Sequence, residues 1–179
     1  MERARAIYDG IQTLENLLKL IGQPEDSHLD CKEWPSKDDD AQKMLAKALC
    51  GMTNADGGVL LLGMKAESRP KDEPDVISCV APVPDTGQVA SRVLGLLSNL
   101  VEPGIVGVEV REIPEPPSGP MGYVVVYAPA SEGSPCRSRK NREFYIRVGS
   151  ATIPMEYWQV EERFGKRPHP RLKLHLGTR

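Results

Sequence analysis

The sequence predicts an α+β fold: a mixed, largely antiparallel sheet flanked by helices. Three observations predict it. Segments with helical and with strand periodicity follow one another irregularly, and late in the chain the strand-like segments neighbour each other as hairpin arms rather than as regularly alternating βαβ units. Ala46–Met64, AKALCGMTNADGGVLLLGM, passes from a helical pattern through Asn-Ala-Asp-Gly-Gly directly into an apolar strand. Gly122–Ala128, GYVVVYA, is apolar at every position, the composition of a central strand.

In order along the chain, residues 3–21 place Ile7, Ile11, Leu14, Leu17, Leu18 and Ile21 on one stripe and predict an N-terminal helix, ended by Gly22 and Pro24. Ser27–Trp34 alternates Leu29, Cys31 and Glu33 against His28, Asp30 and Lys32, a half-buried strand. Pro35–Asp40 is a polar turn, and Asp39 or Asp40 is the expected cap of a helix over 41–53. Asn54–Gly58 is a turn and Val59–Met64 a buried strand. Lys65–Asp75 reads as a loop, Val76–Val80 as a short strand, Thr86–Leu100 as a helix and Ile105–Ile113 as a strand. Pro114–Pro120, with four prolines among seven residues, is a rigid loop. After the central strand, Ser131–Asn141 is a second loop, Glu143–Val148 a strand, and Met155–Phe164 a helix with Pro154 in its first turn. The expected organisation is one domain over 1–166, with 1–21 as its N-terminal helix, and a basic segment over 167–179. The alternating RLKLHL of that segment stops at Arg179, so the chain reads as a piece of a longer protein, and the strand is a candidate for pairing with another copy.

A chain of 179 residues, 40% hydrophobic and 27% charged, can bury a core without staples. It holds no uninterrupted apolar run long enough for a membrane span, and MERARAIYDG lacks an apolar signal region. The four cysteines, Cys31, Cys50, Cys79 and Cys136, form no CxxC pair, and His28, His169 and His175 are too scattered to join them around a metal. Free thiols in a cytoplasmic protein are expected. The net charge of −2 is unevenly spread: residues 1–90 carry 10 Lys and Arg against 16 Asp and Glu, and residues 91–179 carry 13 against 9. This fits either ordinary solvated faces or a basic binding surface built from the C-terminal half.

Three constellations carry chemistry. Asn54, Gly57 and Gly58 end a helix, either as a glycine cap or as a site where backbone approaches a ligand closely. Arg147-Val-Gly-Ser-Ala-Thr152 follows a strand. Ser150 or Thr152 caps the next helix, or Arg147, Gly149, Ser150 and Thr152 form an anion nest. Glu25, Asp30 and Lys32 are either a surface ion-pair strand or two carboxylates and an ammonium that hold a divalent metal against a phosphodiester. GVLLLGMK, over 58–65, is not a phosphate-binding P-loop: Met64 separates Gly63 from Lys65, no hydroxyl residue follows, and the spacer is itself the strand.

The acidic-x-Lys strand at Asp30–Glu33, AKALCGMTNADGGVLLLGM, GYVVVYAPAS followed by Pro135, and FYIRVGSATIPM together resemble the Schlafen AlbA-like (AlbA_2) family, over roughly Ile21–Arg167. Asp30-Cys31-Lys32 stands where that family usually has Glu-Phe-Lys. The resemblance implies binding of RNA or DNA, here through Arg137, Arg139, Lys140, Arg142, Arg147 and the C-terminal basic segment. In Schlafen-type members it further implies a metal-dependent endoribonuclease acting on structured RNA such as tRNA, through three acidic residues. Glu25 and Asp30 match the first two in spacing and would hold Mg²⁺ or Mn²⁺. Glu67 is the nearest candidate for the third, and Lys32 would stabilise the developing charge. Many bacterial relatives are described only as ATP-binding or as transcriptional regulators. That keeps ATP as an alternative ligand, with Asn54, Gly57, Gly58, Arg147 and Ser150 around a phosphate, in a regulatory or oligomerisation module without catalysis.

Overall fold

The N-terminal apolar stripe forms two helices rather than the single one expected over 3–21. α1 (Glu2–Gly10) stops where Arg111 Nη1 donates to the carbonyls of Tyr8 and Ile11, both at 2.7 Å, taking acceptors that a continuous helix would use itself. α2 (Leu14–Leu18) restarts behind Thr13, whose hydroxyl accepts from the Asn16 N–H. The computed structural model describes residues 2–70, 73–116 and 119–165. The expected basic strand after Arg167 lies outside the described residues.

β1 (Leu29–Lys32) is covered on both faces, so Asp30 is as buried as Leu29 and Cys31, against the half-buried strand that alternation suggested. α3 (Asp38–Thr53) begins before the expected Asp39 or Asp40 cap. Its cap is Lys37, which makes no side-chain cap bond. Asp38, Asp39 and Asp40 fill the first turn, where carboxylates complement the helix dipole. β2 (Gly58–Leu62) turns at Gly63 (φ +99°) into β3 (Met64–Glu67), which pairs antiparallel with β4 (Val76–Val80) and replaces the start of the expected 65–75 loop. α4 (Thr86–Leu100) is capped by Asp85, whose side chain accepts from the Gln88 N–H. β5 (Val101–Glu102), β6 (Glu109–Pro114), β7 (Gly122–Ala128) and β8 (Arg137–Ser138) follow. β9 (Tyr145–Val148) and β10 (Ala151–Pro154) form a hairpin, and α5 (Tyr157–Gly165) ends the described chain.

The hairpin corrects the reading of Arg147–Thr152 as a strand-to-helix junction. Val148 pairs with Ala151, so Gly149 (φ +58°) and Ser150 are a two-residue turn, and neither Ser150 nor Thr152 caps a helix. Pro154 closes β10 instead of opening a helix.

The main sheet has the order β1-β2-β7-β6, with β1 parallel to β2 and the other pairs antiparallel. The all-apolar runs of β2 and β7 are explained by cover on both faces. Leu60, Leu62, Val124 and Val126 pack with α3 and α4 residues such as Leu45, Leu49, Val89 and Val93. Val59, Leu61, Val125 and Tyr127 pack with Ala4, Tyr8 and Leu17 from the N-terminal helices, with Ile11 between them, and with Ile77 of β4. The β9–β10 hairpin lies on α3 at Gly51, where a Cβ would come within 2.5 Å of the Thr152 methyl. Among the described residues no helix is long and apolar enough to cross a membrane.

Asn54 and Gly57 each meet a structural requirement of the fold. The Asn54 amide donates to the carbonyls of Cys136 (2.7 Å) and Tyr145 (2.8 Å), and its Oδ1 accepts from the Cys136 N–H (2.8 Å). That uses its hydrogen-bonding capacity on two later segments and leaves none to offer a phosphate. Gly57 has φ +80°, and a Cβ there would lie 3.0 Å from the Ala128 carbonyl oxygen and 3.0 Å from the Ala130 nitrogen. Gly58 is not in the left-handed region, and a Cβ there would meet chiefly the flexible Met52 side chain.

Gly57 therefore carries the backbone requirement. Gly57→Ala is expected to lower unfolding stability by about 1–3 kcal/mol through its positive φ and backbone contacts. Gly58→Ala is expected to cost less, because Met52 can change rotamer. Denaturant midpoints of the two variants check the order, and a larger loss at Gly58 would reverse the assignment.

Candidate nucleic-acid interface

Arg147 brings the hairpin, the 25–29 segment and β1 to one point. Its Nε donates to the Asp26 carbonyl (3.0 Å), its Nη2 to the Leu29 carbonyl (2.7 Å), and its Nη1 to the Thr152 hydroxyl (3.4 Å). The same guanidinium pairs with Asp30 Oδ1 at 3.3 Å and Glu25 Oε2 at 3.6 Å, all three side chains being 1–2% exposed. Glu25 Oε1 also accepts from the Cys31 N–H at 2.6 Å. Lys32 Nζ reaches Asp30 Oδ1 at 2.5 Å from the more open side, with 42% of its side chain exposed. Burial, together with the neighbouring Asp30 charge, pushes the Glu25 carboxyl up from 4.5 to about 7. Burial likewise pushes the Cys31 thiol upward.

Above this cluster opens a pocket of about 130 Å³, lined by Asp30, Lys32, Met44, Lys47, Ala48, Arg147, Ser150 and Thr152. Met44 and Lys47 also line an adjoining groove of about 340 Å³, completed by Lys43, Ser138, Lys140, Asn141 and Tyr145. Lys47 Nζ stands 5.8 Å from the centre of the Tyr145 ring, and Asp39 holds both Lys43 (2.5 Å) and Lys140 (3.4 Å). The pocket and groove thus present Lys32, Lys43, Lys47 and Lys140 in a continuous path.

Of the residues expected from sequence, Asp30, Lys32, Arg147, Ser150 and Thr152 meet at the pocket. Glu25 lies buried directly behind them. Arg147 is a buried clamp rather than an exposed nucleic-acid contact, because its donors are committed to backbone and carboxylates. Glu67 is exposed on β3 and does not line the pocket. Asn54, Gly57 and Gly58 are separated from Gly149, Ser150 and Thr152 by their packing on 128–136 and 145, so the two glycine turns do not form one phosphate site. In the basic loop, Lys140 enters the groove, Arg137 pairs with Glu102 at 3.2 Å, Arg139 donates to the Val101 carbonyl, and Arg142 is exposed with φ 61°. Lys43, Met44 and Lys47 escaped the sequence reading. Their i, i+4 spacing on one helix face beside Met44 is the signal that could have found them.

A divalent ion does not fit this arrangement. Among the described residues, no group of three or more His, Cys, Asp and Glu side chains is placed to hold one. Both buried carboxylates already face the Arg147 guanidinium, and Glu25 Oε1 is taken by the Cys31 N–H.

No curated protein matches the sequence. A family model described as "Schlafen, AlbA_2" matches residues 25–156. Among solved structures, the DIP2311 protein from Corynebacterium diphtheriae is similar with a TM-score of 0.51 and 15% identity, over 90% of this chain and 29% of that one. The N-terminal domain of a protein related to the ATP-dependent DNA helicase RecG, from Nitrosomonas europaea, is similar with a TM-score of 0.51 and 18% identity, over 83% of this chain and 90% of that domain. These likenesses establish the fold. The chain spans under a third of the Corynebacterium protein.

Two outcomes are expected from the buried cluster. Because the native pKa of Glu25 lies above its ordinary value, the folded state holds a proton that the unfolded state lacks between about pH 4.5 and 7. Its contribution is therefore most favourable at the acid end of that window and is lost as pH rises through about 7. Melting temperatures of wild type and Glu25→Gln measured across this range check it, wild type falling relative to Glu25→Gln as pH rises. Arg147→Met leaves buried Glu25 without its cation and Asp30 with Lys32 alone, and is expected to lower stability by about 3–5 kcal/mol. A urea midpoint equal to wild type would show that the clamp is not structural.

Proposed function

Because the chain belongs to the Schlafen AlbA_2 family, we propose that it is a nucleic-acid-binding domain whose phosphate path is the lysine-lined groove between α3 and residues 138–145. The observation that carries this reading is the convergence of Lys43, Lys47 and Lys140 beside a pocket holding Lys32, Ser150 and Thr152. Lysine ammoniums bind phosphates as point charges, and the Ser150 and Thr152 hydroxyls supply directional donors. The likeness to a domain of a RecG-related protein supports the same class of ligand.

The nucleotide reading has a narrower basis. At about 130 Å³ the pocket suits one phosphate group, and the rest of a nucleotide would have to lie in the adjoining groove of about 340 Å³. The endoribonuclease reading lacks a third carboxylate at the pocket. Loss of tRNA cleavage in Asp30→Ala, from a wild type that cuts with Mg²⁺ or Mn²⁺, would restore it.

Binding is expected to weaken steeply with salt, because each neutralised phosphate contributes about 0.7–0.9 to the log–log slope. Replacing Lys43, Lys47 and Lys140 together by Ala is expected to flatten that slope by about 2–3. Arg137→Ala, whose guanidinium is paired with Glu102, is expected to leave it near wild type. Fluorescence anisotropy against single-stranded DNA, duplex and tRNA from low to physiological salt checks both. Absence of binding to all three by the wild-type chain would end the reading.

A further inference from the structure

Lys32 faces two ways. It closes the phosphate-sized pocket on one side and begins a wider groove of about 710 Å³ on the other. The wider groove runs between the segment after β1 and the segment before α4, and its walls are Trp34, Pro35, Ala81, Pro82 and Pro84. Trp34 is half-buried: part of the indole packs against the α3–α4 core and the remainder lines the groove. Beyond Lys32 this stretch carries no cation, and Glu33 stands at its edge, 4.0 Å from Lys65.

The chemistry therefore changes along one path: three lysines, a small pocket with hydroxyls and Lys32, then a rigid aromatic and proline surface. A nucleic-acid chain has the matching alternation, anionic backbone and flat base, only where its bases are unpaired. In a duplex the bases are stacked on each other and cannot lie on a protein ring, whereas single-strand sites combine a basic groove with an aromatic platform. We propose that the occupant of the path is single-stranded nucleic acid, with its phosphates along Lys140, Lys43, Lys47 and Lys32 and one base stacked on Trp34. The proposal rests on the nucleic-acid reading above and narrows it to the strand state of the ligand. Glu33, at the edge of the groove, shares its charge with Lys65 and adds no cation to hold a phosphate at that end.

The test uses Trp158→Phe, which leaves Trp34 as the single tryptophan, since the chain has two. Oligo(dT) and oligo(U) of about 12 nucleotides, within the range of single-strand site sizes, are compared with a duplex of equal length. Both single strands are expected to quench Trp34 fluorescence, their ratio reporting the DNA-versus-RNA preference. The duplex is expected to bind more weakly without quenching. Trp34→Ala is expected to weaken single-strand binding about 5–150-fold, the range of one lost base–aromatic stack. It should leave the salt slope unchanged, and Trp34→Phe should recover most of the affinity. Where Trp34→Ala does not fold, the quenching measurement and Trp34→Phe still decide. Unquenched binding of single strands, or a duplex bound as tightly as a single strand, overturns the Trp34 proposal while leaving the phosphate path standing. Absence of binding to any nucleic acid overturns both.

Discussion

The buried guanidinium of Arg147 is the interaction on which the rest of the molecule depends. It is the place where the β9–β10 hairpin is fixed to the edge of the main sheet, through two backbone carbonyls, two carboxylates and a hydroxyl. A guanidinium suits this task because its donors form a planar fork that can serve several acceptors at once. Two neighbouring buried carboxylates would repel each other, and here the cation between them offsets that repulsion. With the hairpin so held, Ser150 and Thr152 stand over β1 and the side of α3, and the pocket exists.

The basic path is a product of folding rather than of regional composition. Its lysines come mostly from the half of the sequence with net negative charge: Lys32 from β1, Lys43 and Lys47 from α3. Only Lys140 comes from the basic half. Summed charge by segment points at the 137–142 loop. The structure divides that loop, because Arg137 is used by Glu102 and Arg139 by a backbone carbonyl. Asp39, bridging Lys43 and Lys140, partly neutralises the groove.

Much of the fold was legible because its signals are local. The β4 strand at Val76–Val80, the α4 helix at Thr86–Leu100 and the β7 strand at Gly122–Ala128 lie where periodicity and composition put them. Several misses come from contacts with distant residues, whereas the Gly149-Ser150 hairpin turn is a local signal that the strand-to-helix reading passed over. The N-terminal helix is broken by Arg111, some hundred positions away, which no local pattern encodes. Asn54 reads as a turn residue, and its partners at Cys136 and Tyr145 are visible only in three dimensions. At the site, Glu25, Asp30 and Lys32 were legible as a group, but whether the carboxylates face a metal or a cation depends on Arg147, and the strand-to-helix reading of Arg147–Thr152 hid the hairpin that delivers it.

The clamp also sets an order of events during synthesis. Arg147 lies 121 residues beyond Asp26 and 118 beyond Leu29. At about 5–20 residues per second, roughly 6–24 s pass between emergence of the carboxylates and emergence of their cation. Throughout that interval β1 has no hairpin over it. The lysines of α3 come early in that interval, and Ser138, Lys140, Asn141 and Tyr145 of the opposite wall come only just ahead of Arg147. The pocket is thus completed in one late step, when the last hairpin docks, so a chain truncated before residue 147 carries all four lysines of the path and lacks the clamp and the hydroxyls that complete the pocket.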